Sequence, residues 1–346
     1  MKQSIIKGDI KVVGIDLAKS VFHLHAVDGK GHVVLRKKLS RNQLAEYIAQ
    51  LSCCLVGMEA CGGSHAWARK FREMGHDVRL ISPQFVKPYV KSNKNDQVDA
   101  EAICEAVQRP TMRFVPIKSV EQQDIQSLHR AREIAIGHRT SQINQIRGLL
   151  HEYGIVVGKG PASLRKALPD ILENADNELT PMFRELLDGL YQELLHLDRR
   201  ISEYDAHIAL LAEQSDACQR VMSIPGIGPL TATALIAAVG DAKVFQNGRE
   251  MAAWLGLVPR QHSTGGHPRL LGISKRGDPY LRRLLIHGSR AVLRFASHKQ
   301  DRRSRWAASL MEHKHMNVAA VAMANKNVRT AWALLTRHEM FEVTMA

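Results

Sequence analysis

The first hundred residues alternate short apolar runs with longer segments of helical periodicity. Residues 21–26 alternate apolar and polar side chains, as a strand with one buried face does. Asp28-Gly29 is a hairpin turn signal. The pattern predicts three antiparallel strands followed by helix, strand, helix, strand and helix, which is an α/β domain. The predicted strands are 11–16, 21–26, 32–35, 54–59 and 78–81, and the predicted helices are 42–51, 64–74 and 96–107.

The middle of the chain is acidic, and its pattern is helical. Apolar side chains recur there at alternating steps of three and four residues, which is the heptad pattern of a coiled coil. This seam fits an intramolecular helical hairpin and a contact between subunits equally well. An earlier helix at 125–153 is expected to pack nearby, and glycines and prolines at 158–161 and 169–181 predict a loop or hinge. The seam consists of Leu187, Leu190, Leu194, Leu197, Ile201, Tyr204, Ile208 and Leu211.

The last third of the chain is expected to be mainly α-helical. Ile224-Pro225-Gly226-Ile227-Gly228 has the form of a helix-hairpin-helix turn, in which Gly226 and Gly228 would leave backbone N–H groups free for a DNA phosphate. The alternative is an ordinary turn between two helices. The fold class is therefore α/β plus α, with an α/β domain at 1–115, a coiled-coil connector at 116–218 and a C-terminal domain at 219–346.

The distribution of charge points to a polyanionic partner. The net charge of the 346 residues is +14. Residues 1–100 hold 16 Lys and Arg against 9 Asp and Glu (+7), residues 101–220 hold 14 against 18 (−4), and residues 221–346 hold 18 against 7 (+11). Basic clusters at both ends are typical of nucleic-acid binding, because Lys and Arg displace the counterions condensed on phosphates. The alternative is a solvated basic surface without a partner.

The cysteine count and the chain's polarity bear on its location. Five cysteines without CxxC spacing favour neither a zinc ribbon nor a disulfide framework, and a reducing cytoplasm suits them best. The N-terminus lacks the apolar region of an export signal, and no apolar run is long enough to cross a membrane. A soluble cytoplasmic protein without membrane contact is therefore expected.

Four carboxylates carry the first candidate chemistry. Asp16 and Glu59 end two predicted strands, while Asp96 and Asp99 share one face of a predicted helix. Acids that converge in this way repel one another unless a divalent cation neutralises them, and oxygen ligands suit Mg²⁺ or Mn²⁺. Such ions support phosphodiester chemistry. Taken singly, Asp96 also fits a helix N-cap and Asp99 a first-turn partner of the helix dipole. The histidines, including His23 and His25, show no metal-ligand spacing.

A second candidate is the glycine-rich basic segment at 259–277. Ser263 and Thr264 stand there beside two glycines, and a hydroxyl can attack a phosphodiester when cations stabilise the developing charge. The alternative is a flexible loop that only contacts phosphate. The expected nucleic-acid contacts near these hydroxyls are Arg260, Arg269, Lys275 and Arg276, followed by Arg282 and Arg283 on the next helix as backbone contacts.

The motifs as a set resemble the DEDD-type insertion-sequence transposases, which are relatives of the Piv-type DNA invertases and are bridge-RNA-guided recombinases. The resemblance spans nearly the whole chain in the family's order. It implies a RuvC-like domain of the RNase H type, a coiled coil and a smaller transposase domain. The matching motifs are Gly14–Lys19, Met58–Gly62, Asn95–Ala100, Ile224–Gly228, Gly256–Pro259, Ile273–Asp278 and Leu281–Arg283, and Lys19 joins the expected nucleic-acid contacts.

The resemblance also assigns roles by position. It makes Asp16, Glu59, Asp96 and Asp99 the metal-binding tetrad, and it implies a serine nucleophile that is joined transiently to DNA. Ungapped alignment from Gly256 places Thr264 at the family's serine, so both hydroxyls stay candidates, with Ser263 preferred. The resemblance further implies a structured bridge RNA that selects donor and target DNA by base pairing.

The function predicted from the sequence is a transposase that uses Mg²⁺ or Mn²⁺ to cut and rejoin DNA strands without net hydrolysis. The acids and the hydroxyl segment would form a composite site, in a homo-oligomer that is a dimer or a tetramer. One alternative is a RuvC-like structure-specific endonuclease, in which water attacks. The non-enzymatic alternative is a helix-hairpin-helix architectural DNA-binding protein.

Overall fold

The computed structural model describes residues 9–91 and 96–342. It divides into two compact units, Met1–Val120 and Glu121–Ala346. Asn95, part of one motif named above, lies outside the described residues, as do the first eight residues that bear on an export signal. No helix among the described residues is both long enough and apolar enough to cross a membrane.

A six-stranded sheet forms the centre of the first unit, with the strand order β3-β2-β1-β4-β5-β6. Strand β1 pairs antiparallel with β2, and β2 pairs antiparallel with β3, as the sequence predicts. The strands β1, β4 and β5 run parallel, and β6 is an antiparallel edge strand. The strands are β1 (Val12–Leu17), β2 (Val21–Val27), β3 (Val33–Ser40), β4 (Leu55–Glu59), β5 (Asp77–Ile81) and β6 (Phe114–Val115).

Helices cover both faces of this sheet, because its central strands are apolar on both sides. Phe22, Trp67 and Phe71 belong to the core under α1 and α2. Ile81 and Ile103 belong to the core under α4. The predicted α/β architecture is confirmed, and it fits a RuvC-like domain. The helices are α1 (Arg41–Ala49), α2 (Ser64–Glu73), α3 (Pro83–Val86) and α4 (Asp96–Val107).

Two long helices run antiparallel at the start of the second unit. They are α5 (Val120–Glu152) and α7 (Pro181–Glu213), and α6 (Pro161–Glu173) lies between them in sequence. Ion pairs Arg132–Asp205 (2.5 Å) and Arg139–Asp198 (3.1 Å) join α5 to α7. Every second position of the predicted seam is buried within the single chain, namely Leu187, Leu194, Ile201 and Ile208. The chain therefore pairs this helix internally, and a seam contact between subunits stays a prediction.

The predicted loop or hinge at 169–181 is wrong over its first part. Helix α6 continues through Pro169 to Glu173. Leu164 and Leu168 are fully buried in a cluster shared with α5 and α7. Burial of these two side chains offsets the backbone hydrogen bond that a proline inside a helix removes.

The remaining elements are mainly helical, as predicted for the C-terminal third. One apolar core joins Ala212 of α7 to Val221, Leu235 and Val328 in later helices, so it crosses residue 218. The division of this unit into a connector and a separate C-terminal domain stays a prediction. The elements are α8 (Asp216–Met222), α9 (Pro229–Val239), α10 (Gly248–Trp254), β7 (Pro259–Gln261), β8 (Leu270–Ile273), α11 (Pro279–Arg294), α12 (Arg302–His313) and α13 (Met316–Arg337).

Candidate active site and nucleic-acid-binding surfaces

Two glycines let helix α4 lie close against the sheet. Gly14 of β1 is paired in register with Gly57 of β4. A Cβ atom on Gly14 would collide with the backbone of α4, at the Ala100 carbonyl and at 2.5 Å from the Cys104 nitrogen. A Cβ on Gly57 would lie 2.8 Å from the Val107 Cβ. The glycine pair therefore forms a shallow groove that fixes where α4, and with it the first turn of α4, can lie.

This packing brings three predicted carboxylates together. Asp16 lies two residues beyond Gly14, so its side chain projects from the same face of β1 toward α4. Asp96 and Asp99 belong to the first turn of α4. Asp16, Asp96 and Asp99 each offer one carboxylate oxygen within 4.8 Å of the others. Their hard oxygen donors and their close spacing are suited to a divalent cation.

Glu59 lies at the same edge of the sheet but outside this group of three. It ends β4, one position beyond the Ile15–Met58 register pair, so it is the parallel-strand neighbour of Asp16. Burial raises the pKa of the Cys61 thiol, and the nearby carboxylates of Glu59 and Asp16 raise it further. A thiol that is influenced by both carboxylates lies near both. Glu59 as the fourth metal ligand stays a proposal.

His23 is a site residue that the sequence interpretation passed over. It is the antiparallel partner of Asp16 in the β1–β2 pair. Its Nδ1 atom lies 3.7 Å from a carboxylate oxygen of Asp96, and its side chain is only 12 % exposed. The short connection between the predicted strands 11–16 and 21–26 contained the information, because antiparallel pairing outward from it places His23 opposite Asp16.

The hydroxyl segment is the hairpin loop that connects the two strands of a short ribbon. Strands β7 and β8 pair antiparallel, and the backbone N–H of His262 donates to the Arg269 carbonyl at 2.9 Å. Thr264 and His267 close the turn, whose two central glycines, Gly265 and Gly266, both have positive φ angles (57° and 79°). Glycine is the residue that adopts this hairpin turn without strain.

Both candidate hydroxyls lie on the exposed part of this ribbon. Ser263 and Thr264 are exposed, and the side-chain amide of Gln261 donates to the Ser263 hydroxyl oxygen at 2.8 Å. Arg260 of β7 and Arg269, which directly precedes β8, flank them and are exposed as well. The ribbon thus presents two hydroxyls and two guanidinium groups to solvent.

The other predicted basic contacts divide into exposed and intramolecular ones. Lys275 and Arg276 are exposed beyond β8, and Lys19 is exposed after β1. Arg282 donates to the carbonyls of Leu255 (3.1 Å) and Arg276 (2.8 Å), which fastens the base of the ribbon. Arg283 forms an ion pair with Glu133 of α5. The structure gives these last two arginines internal partners, and their role as DNA contacts stays a prediction.

The turn between α8 and α9 uses its two glycines differently. Gly226 has a φ of 90°, and a Cβ there would lie 2.8 Å from the Gly288 carbonyl of α11. Gly228 is exposed and is the N-cap of α9. Gly226 therefore serves the packing of the turn on α11, whereas Gly228 leaves the N-terminus of α9 accessible. A helix-hairpin-helix role in DNA binding stays a proposal.

Two family models match this chain. Residues 218–306 match the family described as Transposase IS116/IS110/IS902. Residues 13–155 match a DEDD family of IS110 transposases, described as Transposase. The second match begins in β1 and includes the three clustered aspartates.

Several curated proteins are similar over nearly the full length of the chain. A probable family 20 transposase from Pseudomonas aeruginosa is 51% identical over 95% of this chain and 98% of its own length. The transposase for insertion sequence element IS1111A from Coxiella burnetii is 49% identical, over 96% of this chain and 92% of its own. The transposase for IS1328 from Yersinia enterocolitica is 41% identical over 96% and 99%.

Together with these matches, an α/β domain with an acidic cluster that is followed by a basic helical unit identifies a DEDD-type DNA transposase. The chain belongs to the IS110/IS116/IS902 family of insertion-sequence transposases. Members of this family bind DNA and cleave and rejoin it in transposition, and their acidic residues bind divalent metal. The family membership predicted from the sequence is confirmed.

Proposed function

We propose that this transposase cuts and rejoins DNA through a metal site at Asp16, Asp96 and Asp99, with Glu59 as a fourth ligand, and through a hydroxyl nucleophile at Ser263. The observation that carries the proposal is the approach of three carboxylates to within 4.8 Å from two elements far apart in sequence. Carboxylates so close repel one another, and a divalent cation relieves this repulsion. Mg²⁺ and Mn²⁺ are the cations that such oxygen ligands suit.

The donor set fits a metal of this kind. When bound, the cation stabilises negative charge on phosphodiester oxygens. Gly14 and Gly57 hold α4 at the distance that lets Asp96 and Asp99 meet Asp16. His23 contacts Asp96 from the neighbouring strand and restricts its orientation. These positioning contacts belong to the fold, so the ligands are arranged before DNA arrives.

The ribbon supplies the groups for covalent transfer. The Ser263 oxygen forms a bond to phosphorus while the bond between phosphorus and one deoxyribose oxygen breaks. The serine hydroxyl gives up its proton and the departing deoxyribose oxygen takes one up, so one ester of the phosphate replaces another. The Gln261 amide, which donates to this oxygen, stabilises the charge that develops on it. Attack by a deoxyribose hydroxyl on the phosphoserine reverses the step, so rejoining needs no external energy source. Thr264 is the alternative nucleophile.

The proposal also includes a guide RNA. A structured bridge RNA would select donor and target DNA by base pairing, as the family resemblance implies. The net charges of +7 for residues 1–100 and +11 for residues 221–346 supply enough positive charge for two nucleic-acid surfaces. A homo-oligomer, dimer or tetramer, would present these surfaces to both DNA partners.

Trapping the covalent adduct tests the nucleophile. Labelled DNA with a nick near the cleavage site is incubated with protein and Mg²⁺, and protein-bound label is detected on a denaturing gel. Ser263→Ala should lose adduct and recombined product, while Thr264→Ala should keep the adduct. A threonine nucleophile gives the reverse pattern. An adduct from the double variant would show that the nucleophile is neither Ser263 nor Thr264. Cleavage without any adduct in the wild type would identify a hydrolytic endonuclease.

Metal binding tests the acidic site separately. Asp16→Asn and Asp99→Asn should abolish strand exchange and Mn²⁺ binding measured by titration calorimetry, while DNA binding persists. The matched control is Glu46→Gln, which removes an exposed carboxylate on α1. Unchanged strand exchange in either aspartate variant would remove these residues from the mechanism.

A further inference from the structure

A cavity of about 290 Å³ lies beside the turn that joins α8 to α9. Pro225 of that turn forms one wall, and Lys299, Asp301, Arg303 and Phe341 form much of the rest. The Asn327 side chain donates to the Pro225 carbonyl at 3.2 Å, which fastens the turn to α13. The cavity therefore lies next to the turn whose helix-hairpin-helix form predicts contact with the DNA backbone.

Arg303 is the unusual group in this cavity. Arg303 belongs to α12 and is only 9% exposed. Its Nε donates a hydrogen bond to the sulfur of Met323 at 3.4 Å. Its guanidinium lies 5.3 Å from the centre of the Phe341 ring. Among the described residues, its Nη2 has no hydrogen-bond partner and no carboxylate lies within ion-pair distance of the guanidinium. A buried cation with unfilled donors is costly unless an anion accepts from it.

The surroundings of Arg303 are positively charged. Burial lowers the pKa of Arg303 to about 10, and Asp301 only partly opposes this shift. Burial also lowers the pKa of Lys326 on α13, and Arg303, Arg302 and Arg329 lower it further. Several cations thus meet at one place without a neutralising group for each.

Asp301 is the carboxylate that the described residues contribute to the cavity wall, and it is already engaged. Asp301 accepts hydrogen bonds from the Ser304 hydroxyl at 2.7 Å and from the backbone N–H groups of Arg303 and Ser304. These bonds cap the N-terminus of α12. Asp301 is therefore oriented toward the helix end, and its one negative charge stands against the two positive charges of Lys299 and Arg303, so the cavity wall keeps a positive balance.

We propose that this cavity binds a phosphate group, and that in the complex with DNA the group belongs to the backbone that passes the α8–α9 turn. The second part rests on the proposed function. Pockets for small molecules span about 300–1,000 Å³, so a cavity of about 290 Å³ has room for a phosphate group. A guanidinium with unfilled N–H donors is the side chain best matched to phosphate oxygens.

The anion site is tested by thermal unfolding of the full chain in inorganic phosphate and in chloride at equal ionic strength. Phosphate should raise the melting temperature of the wild type but not of Arg303→Met or Lys299→Gln. Arg303→Met in chloride should be at least as stable as the wild type, since it removes a buried unpaired charge. Lys299 is exposed, so its substitution tests the site without disturbing the core. The control Arg305→Gln, exposed on the same helix, should keep the phosphate effect.

DNA binding then identifies the source of the phosphate. Lys299→Gln and Arg303→Met should each reduce the log–log salt slope of DNA binding by about one unit, and Arg305→Gln should not. A phosphate effect with unchanged slopes overturns the DNA part and leaves a free-anion site. If phosphate does not raise the melting temperature and neither slope changes, the whole proposal is overturned. Repeating both measurements in Ser263→Ala separates this result from the nucleophile, because phosphate binding does not depend on adduct formation.

Discussion

Single glycines decide how closely the ligands of the acidic site approach. Gly14→Ala places a methyl group against the backbone of α4 at Ala100 and Cys104. The helix must move away, which carries Asp96 and Asp99 from Asp16. We expect a loss of about 1–3 kcal/mol of unfolding free energy from overpacking, together with weaker Mn²⁺ binding. Thermal unfolding and titration calorimetry measure these two effects.

The matched control for this substitution is Gly62→Ala. Gly62 follows β4, and a Cβ atom there meets nothing within 4 Å. The control should keep wild-type stability and metal affinity. Wild-type Mn²⁺ affinity in Gly14→Ala would show that the position of α4 does not limit metal binding.

His23 positions Asp96, one of the three clustered aspartates, without itself belonging to the cluster. Its ring nitrogen lies 3.7 Å from Asp96 and restricts the orientations of that carboxylate. Loss of such a supporting contact typically costs about 10–100-fold in metal affinity. His23→Phe should therefore weaken Mn²⁺ binding by that factor while the fold persists. His32→Phe, at an exposed turn, should leave the affinity unchanged; equal effects of the two variants would contradict the positioning role.

A buried hydrogen-bond network connects three helices of the second unit. His129 of α5 lies 2.9 Å from the Tyr280 hydroxyl of α11 and 3.0 Å from the Thr233 hydroxyl of α9. Thr233 donates to the Pro229 carbonyl, so its oxygen accepts from His129 Nε2 and leaves Nδ1 to accept from Tyr280. Burial and the nearby Arg132 lower the pKa of His129 to about 4. The neutral ring is therefore part of the folded state.

This network makes stability depend on pH. The unfolded histidine titrates near pH 6.5, so its contribution is complete above that pH. As the pH falls from about 6.5 to about 4, the unfolded state binds the extra proton and up to about 3 kcal/mol of stability is lost. His129→Gln, which cannot titrate, should show a smaller loss over this window in urea unfolding. Identical pH profiles would mean that His129 titrates alike in both states.

Helix α7 is held mainly by its internal seam. Leu194 is fully buried against α5 and α6, so Leu194→Ala should cost about 2–5 kcal/mol in urea unfolding. Leu186→Ala is the control, because that side chain on the same helix is 51% exposed. Light scattering of the folded variant should give the wild-type mass. A lower mass without loss of stability would place the seam between subunits instead.

At the scale of the whole molecule, the basic ends should make nucleic-acid binding steeply salt-dependent. Arg260 and Arg269 are exposed on the ribbon and have no ion-pair partner among the described residues. Changing both to Gln should reduce the log–log salt slope of DNA binding by about two units. Arg200→Gln, in the acidic middle of the chain, should leave the slope unchanged. An unchanged slope in the ribbon variant would place the DNA path elsewhere.

The sequence predicted most elements because their signals are local. Alternation of apolar and polar side chains predicted β2, and the three–four spacing predicted α7. The prediction failed at Pro169, where distant partners of Leu164 and Leu168 keep the helix intact. It also missed the β7–β8 ribbon, although the Gly265-Gly266 pair is a hairpin signal.

By itself, the sequence determined the family, the α/β character of the first domain, the basic ends and the identity of the candidate acids, since these depend on residue type and local spacing. The tertiary structure alone decided that Asp16, Asp96 and Asp99 meet while Glu59 stands one strand away. It also gave Arg282 and Arg283 internal partners and buried Arg303 beside a cavity. Strand register and helix packing bring together residues that are far apart in sequence, and no local pattern encodes those distances.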